Sequence, residues 1–476
     1  MSTKISKKSL SVFVLAMINV AAICSIKNWP ITAEYGFSSL FYYLIAAVGF
    51  FIPVALVSAE LASTYPKNGG VYSWVKEAMG HKMGFLAIWL QWIENVAWYP
   101  TVLSFVAATL AYTISPSLAL NNVYSFFSIL ILYWGATFLN FRGIKTSGLV
   151  STSAVILGTL IPGALIIILG VVWYSTGQPS QIVITAQSFV PSLNSPHKLS
   201  ILVGVVLGFA GLEMTAVHVR DVENPRKNYP RAILLSAILI IGLSVLGTLA
   251  IAMVIPKENI SLVSGGMDAI AYFLKSYGLS WLTPIVSILI AFGAFGAVVA
   301  WIIGPSRGLL TAAQDGDLPP ILHKTNKNNM PTSMLVMQGF IVSALASVFL
   351  FMPTVSSSFW ILIALAAMLY SVMYAIMFIT AIVLRHKHPN IERPFSVPGG
   401  KIGMWIIAGI GCIMSTFTII IGFFPPSNIV LTNFVFYETF LIVGMVVFIA
   451  IPFLILMFKK PSWNLDKALA TEDEPL

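Results

Sequence analysis

Apolar residues in this chain fall into runs of about 20 or more, each long enough to cross the hydrocarbon core of a bilayer as a helix. Short polar connections separate them. The runs lie at roughly 10–34, 38–62, 83–113, 123–141, 149–174, 199–218, 232–255, 282–312, 332–352, 358–384, 403–424 and 436–458. The pattern predicts an all-α polytopic membrane protein with twelve transmembrane helices. Between the runs, Pro66-Lys67-Asn68-Gly69-Gly70 predicts a turn, and Val71 to Met79 a short amphipathic helix lying against the membrane. Asn224-Pro225 through Tyr229-Pro230 reads as a tight basic turn into the seventh span, and Lys257 to Tyr277 is long enough for a small lid helix.

Two runs break their own pattern. In the sixth, the apolar stretch Val203-Gly204-Val205-Val206-Leu207 is followed by Gly208-Phe209-Ala210-Gly211-Leu212-Glu213. Glycine weakens a helix interior by about 1 kcal/mol relative to alanine, and a carboxylate at mid-membrane costs roughly 2.5–3.5 kcal/mol on insertion scales. In the first, the apolar character fails over Ile23-Cys24-Ser25-Ile26-Lys27-Asn28-Trp29-Pro30. Both stretches read as interrupted helices, whose bare N–H and C=O groups are tolerable at that depth only against protein, water or a bound solute. Interruptions five spans apart point to an inverted repeat of five plus five helices around a midplane site. The alternative is glycine used for close packing, with Glu213 buried and protonated.

Composition narrows the class. Of 476 residues, 58% are hydrophobic and 9% charged, against about 25% charged in soluble domains. The net charge of +9 is a matter of topology. With the N-terminus in the cytoplasm, 22 of the 26 lysines and arginines fall on the cytoplasmic side, as the positive-inside rule requires. Both termini are then cytoplasmic, and no nucleic-acid partner is needed to explain the charge. Cys24 and Cys412 sit within apolar runs, which argues against a disulfide framework or a metal site. The layout is a short N-terminal segment (1–9), a ten-helix core (10–384, with repeats at about 10–174 and 199–384), two further helices (403–458) and a polar, disordered tail (459–476).

Ionisable residues within the spans are few: Lys27, Glu60, Glu94, Glu213, Arg307 and Glu438. Glu60, Arg307 and Glu438 stand near span ends, where they snorkel or pair. Lys27 and Glu94 are deeper, Glu94 about 12 residues into its span, or roughly 18 Å. Leaving either alone is expensive, so the economical expectation is that they pair. Such a pair is a gate, a contact for a charged group of the solute, or a permanent structural bridge. His218, five residues after Glu213, is a candidate pH sensor or an ordinary interfacial histidine. No histidines show HExxH-type metal spacing. Gly304-Pro305-Ser306-Arg307-Gly308 matches G-x-S-x-G, but no strand precedes it to form a nucleophile elbow; it reads as a segment ending or gating a long helix.

These residues carry a resemblance over about residues 9–458. Glu60-Leu61-Ala62 with Gly69-Gly70-Val71, Gly211-Leu212-Glu213 with Asn224-Pro225, Trp301 through Gly308, Met330-Pro331 and Val397-Pro398-Gly399-Gly400 resemble the amino acid–polyamine–organocation superfamily, and within it the bacterial glutamate/GABA antiporter family. The resemblance implies a multi-pass protein of the bacterial inner membrane, monomeric or homodimeric, with no cofactor. It implies alternating access with solute held between broken helices one and six. Cys24, Ser25, Ile26, Phe209, Ala210, Gly211 and Glu213 correspond to the binding region, with Trp98 as a wall and Lys27 and Glu94 as gate or specificity residues. The chain departs from the family at Ile23-Cys24-Ser25, in place of a glycine-rich first-helix signature, and at Ala297, in place of an eighth-helix glutamate. Lys27 and Glu94 replace uncharged residues, and the tail is too short for the family's cytoplasmic plug. The expected function is amino-acid exchange with a related amino acid or amine. Proton-coupled uptake, a transporter-like nutrient sensor and an intramembrane enzyme are the alternatives. All six aspartates fall in connections or the tail, against an aspartyl protease.

Overall fold

In the computed structural model, which describes residues 11–464 apart from 67, 68, 184, 192, 193, 216–223, 428 and 432, every regular element is helical. The principal helices are α1 (Val12–Ile23), α2 (Ile26–Ala33), α3 (Gly36–Thr64), α4 (Val71–Met79), α5 (His81–Ala111), α6 (Asn122–Phe141), α7 (Leu149–Ser175), α8 (Ile201–Gly208), α9 (Leu212–Thr215) and α10 (Pro225–Val254). They continue with α11 (Gly265–Ser276), α12 (Thr283–Gln314), α13 (Thr332–Phe351), α14 (Val355–Lys387), α15 (Gly400–Gly422) and α16 (Phe434–Met457).

Among the described residues, ten helical stretches are long and apolar enough to cross a membrane, one of them Pro196–Met214, which holds α8 and most of α9, and the bent pair α1–α2 makes eleven. The chain is thus an all-helical polytopic membrane protein. The 31-residue α5 is long enough to cross as well, at about 46 Å. It stands apart in composition because it carries Gln91, Glu94 and Asn95 in its middle.

Burial sorts the helices into an inner and an outer set. In the apolar window of α14, 89% of residues are buried, against 17% in α16 and 28% in α6 and α7. At the centre α5 packs against α12 and α14, and α8 against α14, while α1 lies along α10. The outer faces of α6, α7, α15 and α16 expose leucine, isoleucine, valine and phenylalanine, as a lipid-facing surface does. Wider π-type turns interrupt α3 at Ala47–Phe51 and α7 at Ile156–Leu160, each just ahead of a proline (Pro53, Pro162). Proline has no N–H for the preceding turn, and the wider turn absorbs the missing bond.

Four local expectations bear on the fold. A helix is present at Val71–Met79, and another, α11, lies within Lys257–Tyr277. The Pro225–Pro230 stretch is not a turn: it forms the first helical turns of α10, with Pro230 inside the helix. Nor does Gly304–Gly308 end a helix. Helix α12 runs through Pro305 to Gln314, and the Ser306 hydroxyl donates to the Gln338 side chain at 3.2 Å. Ser306 is a buried interhelical contact.

Charges near the span ends are paired where they are buried. The Glu60 carboxylate accepts from Arg385 at 2.6 Å, from Arg393 at 3.1 Å and from the Val397 N–H at 2.7 Å. This ties the end of α3 to the segment after α14. Glu438 is exposed. On the face that carries α4, Asp317 is buried and binds Lys459 at 3.0 Å and His81, so the segment after α16 is fastened beneath α5 and α12.

Candidate functional site

The site begins where α1 stops. Cys24 and Ser25 leave the helix in extended conformation (ψ 119° and 130°), and the chain restarts at Ile26 with a bend of 56°. The N–H groups of the restarted segment are the positive end of a helix. Across from it, α8 ends at Gly208, and Phe209-Ala210-Gly211 separate it from α9. Gly211 has φ +108°, a region that side-chain-bearing residues seldom adopt. A Cβ there would stand 2.6 Å from the Trp301 ring. Gly208 lies against Asn28, where a Cβ would be 3.0 Å from the amide nitrogen, so the two broken helices meet near their interruptions.

Between them lies a cavity of about 250 Å³, near the lower end of small-molecule sites, which span about 300–1,000 Å³. Its polar lining comes from Cys24, Ser25, Lys27, Asn28, Glu94, Asn95, Ser151, Thr159 and Tyr370. Ile26, Trp98, Val102, Phe105, Ala210 and Trp301 supply much of the apolar wall. Trp98 meets Trp301 edge-on, centroids 6.0 Å apart. A much smaller cleft beside it is lined by Phe209, Tyr43 and Ser244.

The sequence candidates therefore divide. Cys24, Ser25, Ile26, Lys27, Glu94, Trp98 and Ala210 line the main cavity. Phe209 faces the smaller cleft and packs on Tyr43 and Phe51. Gly211 and Glu213 stand behind the wall. His218 lies outside the described residues. Lys27 and Glu94 share the cavity, yet no ion pair joins them among the described residues. The Lys27 ammonium lies 5.4 Å from the Trp98 ring centroid and 5.4 Å from that of Phe359, and it has no hydrogen-bond acceptor among the described residues. The Glu94 carboxylate accepts from the Asn95 amide.

Glu213 is placed differently. Its carboxylate accepts from Gln91 at 2.9 Å, from the Tyr374 hydroxyl at 2.5 Å and from the Tyr370 hydroxyl. Tyr374 in turn accepts the Gly211 N–H at 2.7 Å. One carboxylate thus holds two rings of α14 and, through one of them, the backbone of the break. Tyr370 links this network to the cavity, which it also lines. Tyr370, Tyr374, Asn28, Asn95 and Trp301 escaped the sequence reading. Asn28 and Asn95 were visible as amides at membrane depth, and the tyrosines as an i, i+4 pair on one helix face. Trp301 was marked only as the start of a segment carrying the family resemblance.

On the far side of the bend, α11 closes over the restarted helix. Gly265 and Gly266 pack on Pro30 and Ile26, and Asp268 accepts from the hydroxyls of Tyr112 and Ser264. Burial raises the Asp268 carboxyl above its ordinary range, and the two hydroxyls pull it partway back.

The comparisons with known proteins agree with this architecture. A family model described as amino acid permease matches residues 6–448. An uncharacterized transporter of Legionella pneumophila is 45% identical over 94% of this chain and 97% of its own length. A glutamate/gamma-aminobutyrate antiporter of Lactococcus lactis is 33% identical over 94% of this chain and 90% of its own. A probable agmatine/putrescine antiporter of the same species is 24% identical over 83% of each.

Proposed function

The chain belongs to the amino acid permease family, a family of amino-acid and polyamine transporters and not of enzymes, and from that premise we propose that it exchanges an amino acid for a related amino acid or amine by alternating access. The observation that carries the reading is the cavity of about 250 Å³ lying where α1 and α8 lose their helical hydrogen bonds. The substrate carboxylate meets the N–H groups of Ser25, Ile26 and Lys27, where the restarting helix is electropositive. Its amine turns toward the carbonyls freed around Ala210. Trp98 and Trp301 wall the site. Glu213 contributes through Tyr370 and Tyr374, which hold the second break in shape.

The surrounding architecture in this reading is ten helices in two inverted repeats, residues 10–174 and 199–384, with α5 as a full span and 403–458 as two additional helices. Both termini face the cytoplasm of a bacterial cell, because the basic connections gather on that side. Helix α11 is the outer lid. Exchange is also the activity named for the two antiporters of Lactococcus lactis.

The test is counterflow in proteoliposomes. Labelled amino acids from a panel should enter faster when the lumen holds unlabelled substrate, with or without sodium. Uptake that follows a pH gradient and ignores the luminal substrate would make the protein a symporter. Saturable binding without flux would make it a sensor.

A further inference from the structure

This protein partners its buried charges with care. Glu60 has two arginines, Asp317 a lysine and a histidine, and Glu213 three donors. Lys27 and Glu94 are the exceptions. Each is 2% exposed, and they are the only charged side chains among the described residues lining the cavity. The Lys27 ammonium is held between two aromatic faces, which attract a cation without neutralising it. It also sits on the turn that restarts the first helix, so side chain and backbone present positive charge at the same place. Glu94, on α5, has one neutral amide for company. The chamber is therefore lined by one cationic and one anionic side chain, and neither is neutralised by an ion pair among the described residues.

We propose that Lys27 and Glu94 are a split charge pair completed by the substrate, a net-neutral amino-carboxylate whose carboxylate sits on the Lys27 ammonium and whose ammonium faces Glu94, so that Lys27 is the residue that turns diamines away. The proposal rests on the transporter reading above and names the solute that site takes. A diamine must place an ammonium against Lys27. A dicarboxylate must place its second carboxylate against Glu94. At side chains this deeply buried either mismatch costs far more than it does in water. Amino acids and diamines both occur in the names of the related antiporters, and a lysine at this position decides between them by charge alone.

The experiment is a thermal-shift titration of the purified full chain, which reads affinity as stabilisation, with γ-aminobutyrate, glutamine, glutamate and putrescine as probes. γ-Aminobutyrate or glutamine should stabilise the protein, with putrescine and glutamate at least about tenfold weaker. Lys27→Met should weaken the amino-carboxylates roughly 100-fold and abolish their advantage over putrescine, without lowering the melting temperature of the empty protein. Lys27→Arg should keep the order of the probes, and Glu94→Gln should relieve the penalty on glutamate. Putrescine binding as well as glutamine would overturn the assignment, as would an unchanged order in Lys27→Met. A Lys27→Met protein that loses its fold while Lys27→Arg behaves as wild type would make the charge structural and overturn it too. If exchange is seen in counterflow and only the probe order fails, the transporter reading stands. Counterflow silent for every amino acid would remove that reading as well.

Discussion

At the break between α8 and α9, a buried carboxylate is saturated: Gln91, Tyr370 and Tyr374 all donate to Glu213. At the break between α1 and α2, a buried ammonium has two aromatic rings and no acceptor among the described residues. Both groups sit beside the same cavity at the same kind of interruption. The difference teaches how to divide the labour of a broken-helix site. A charge whose bonding capacity is filled by the protein holds the backbone in an irregular shape and has little left to offer a solute. A charge left unfilled is costly to the empty protein, and that cost is recovered when a solute of opposite sign arrives. The carboxylate offered as a ligand by the sequence has its bonding met by Gln91, Tyr370 and Tyr374, and the lysine beside the other break has capacity to spare.

Removing the brace should have the largest effect. Glu213→Ala takes the carboxylate acceptor from the buried Tyr370 and Tyr374 hydroxyls and the Gln91 amide and should lower stability by roughly 3–5 kcal/mol, read as a fall in the melting temperature of purified protein. Glu213→Gln keeps part of the network and should express normally while exchange in proteoliposomes drops about tenfold, a loss of roughly 1.4 kcal/mol. A Glu213→Ala protein with wild-type melting and exchange would end the contrast between the two breaks.

Next comes the backbone that the brace holds. Gly211→Ala forces a side chain into a left-handed conformation against Trp301, at a cost of about 1–3 kcal/mol, and exchange should fail with it. The tyrosines separate the brace into parts. Tyr374→Phe loses both its bond to Glu213 and the Gly211 N–H, and should cost about 1–3 kcal/mol. Tyr370→Phe loses one bond and should cost about 0.5–1.5 kcal/mol. Equal effects would mean that the Gly211 contact adds nothing.

A partly exposed pair calibrates the low end of the scale. Asp315 binds Lys76 at 2.5 Å, with both side chains about two-fifths exposed. Partial burial pushes Asp315 upward, but hydrogen bonds from Lys76 and Tyr72 and the positive charge of Lys76 and His81 outweigh it, so its carboxyl lies below the ordinary value. A lowered carboxyl stabilises the fold at pH values above its unfolded pKa of about 3.9. That contribution fades as the pH falls through the lower folded value. Lys76→Met should therefore cost less than about 1 kcal/mol at pH 7, and the gap from wild type should close in strong acid.

Much of this protein was legible before folding was considered. The length of each apolar run sets the helices, because a backbone crossing hydrocarbon has to satisfy its own hydrogen bonds. Polar residues at Cys24–Asn28 and the glycines at 208 and 211 marked both interruptions, because a helix cannot bridge such residues cheaply. Where the reading failed, local sequence was ambiguous: Pro225–Pro230 and Gly304–Gly308 look like turns, yet proline is tolerated in a helix's first turn and in membrane helices whose neighbours re-satisfy the freed groups.

What the linear order could not settle was which buried charge meets which partner. Glu213 lies more than 150 residues from the two tyrosines that bind it. The economical pairing of Lys27 with Glu94 was set aside by the placement of α2 and α5 around a shared chamber. Helix formation is governed by interactions within a few residues, so sequence alone determined the spans and their breaks. Satisfaction of a buried charge depends on groups brought together from distant helices, so only the tertiary structure decided which charge is filled by the protein and which one is left with aromatic neighbours.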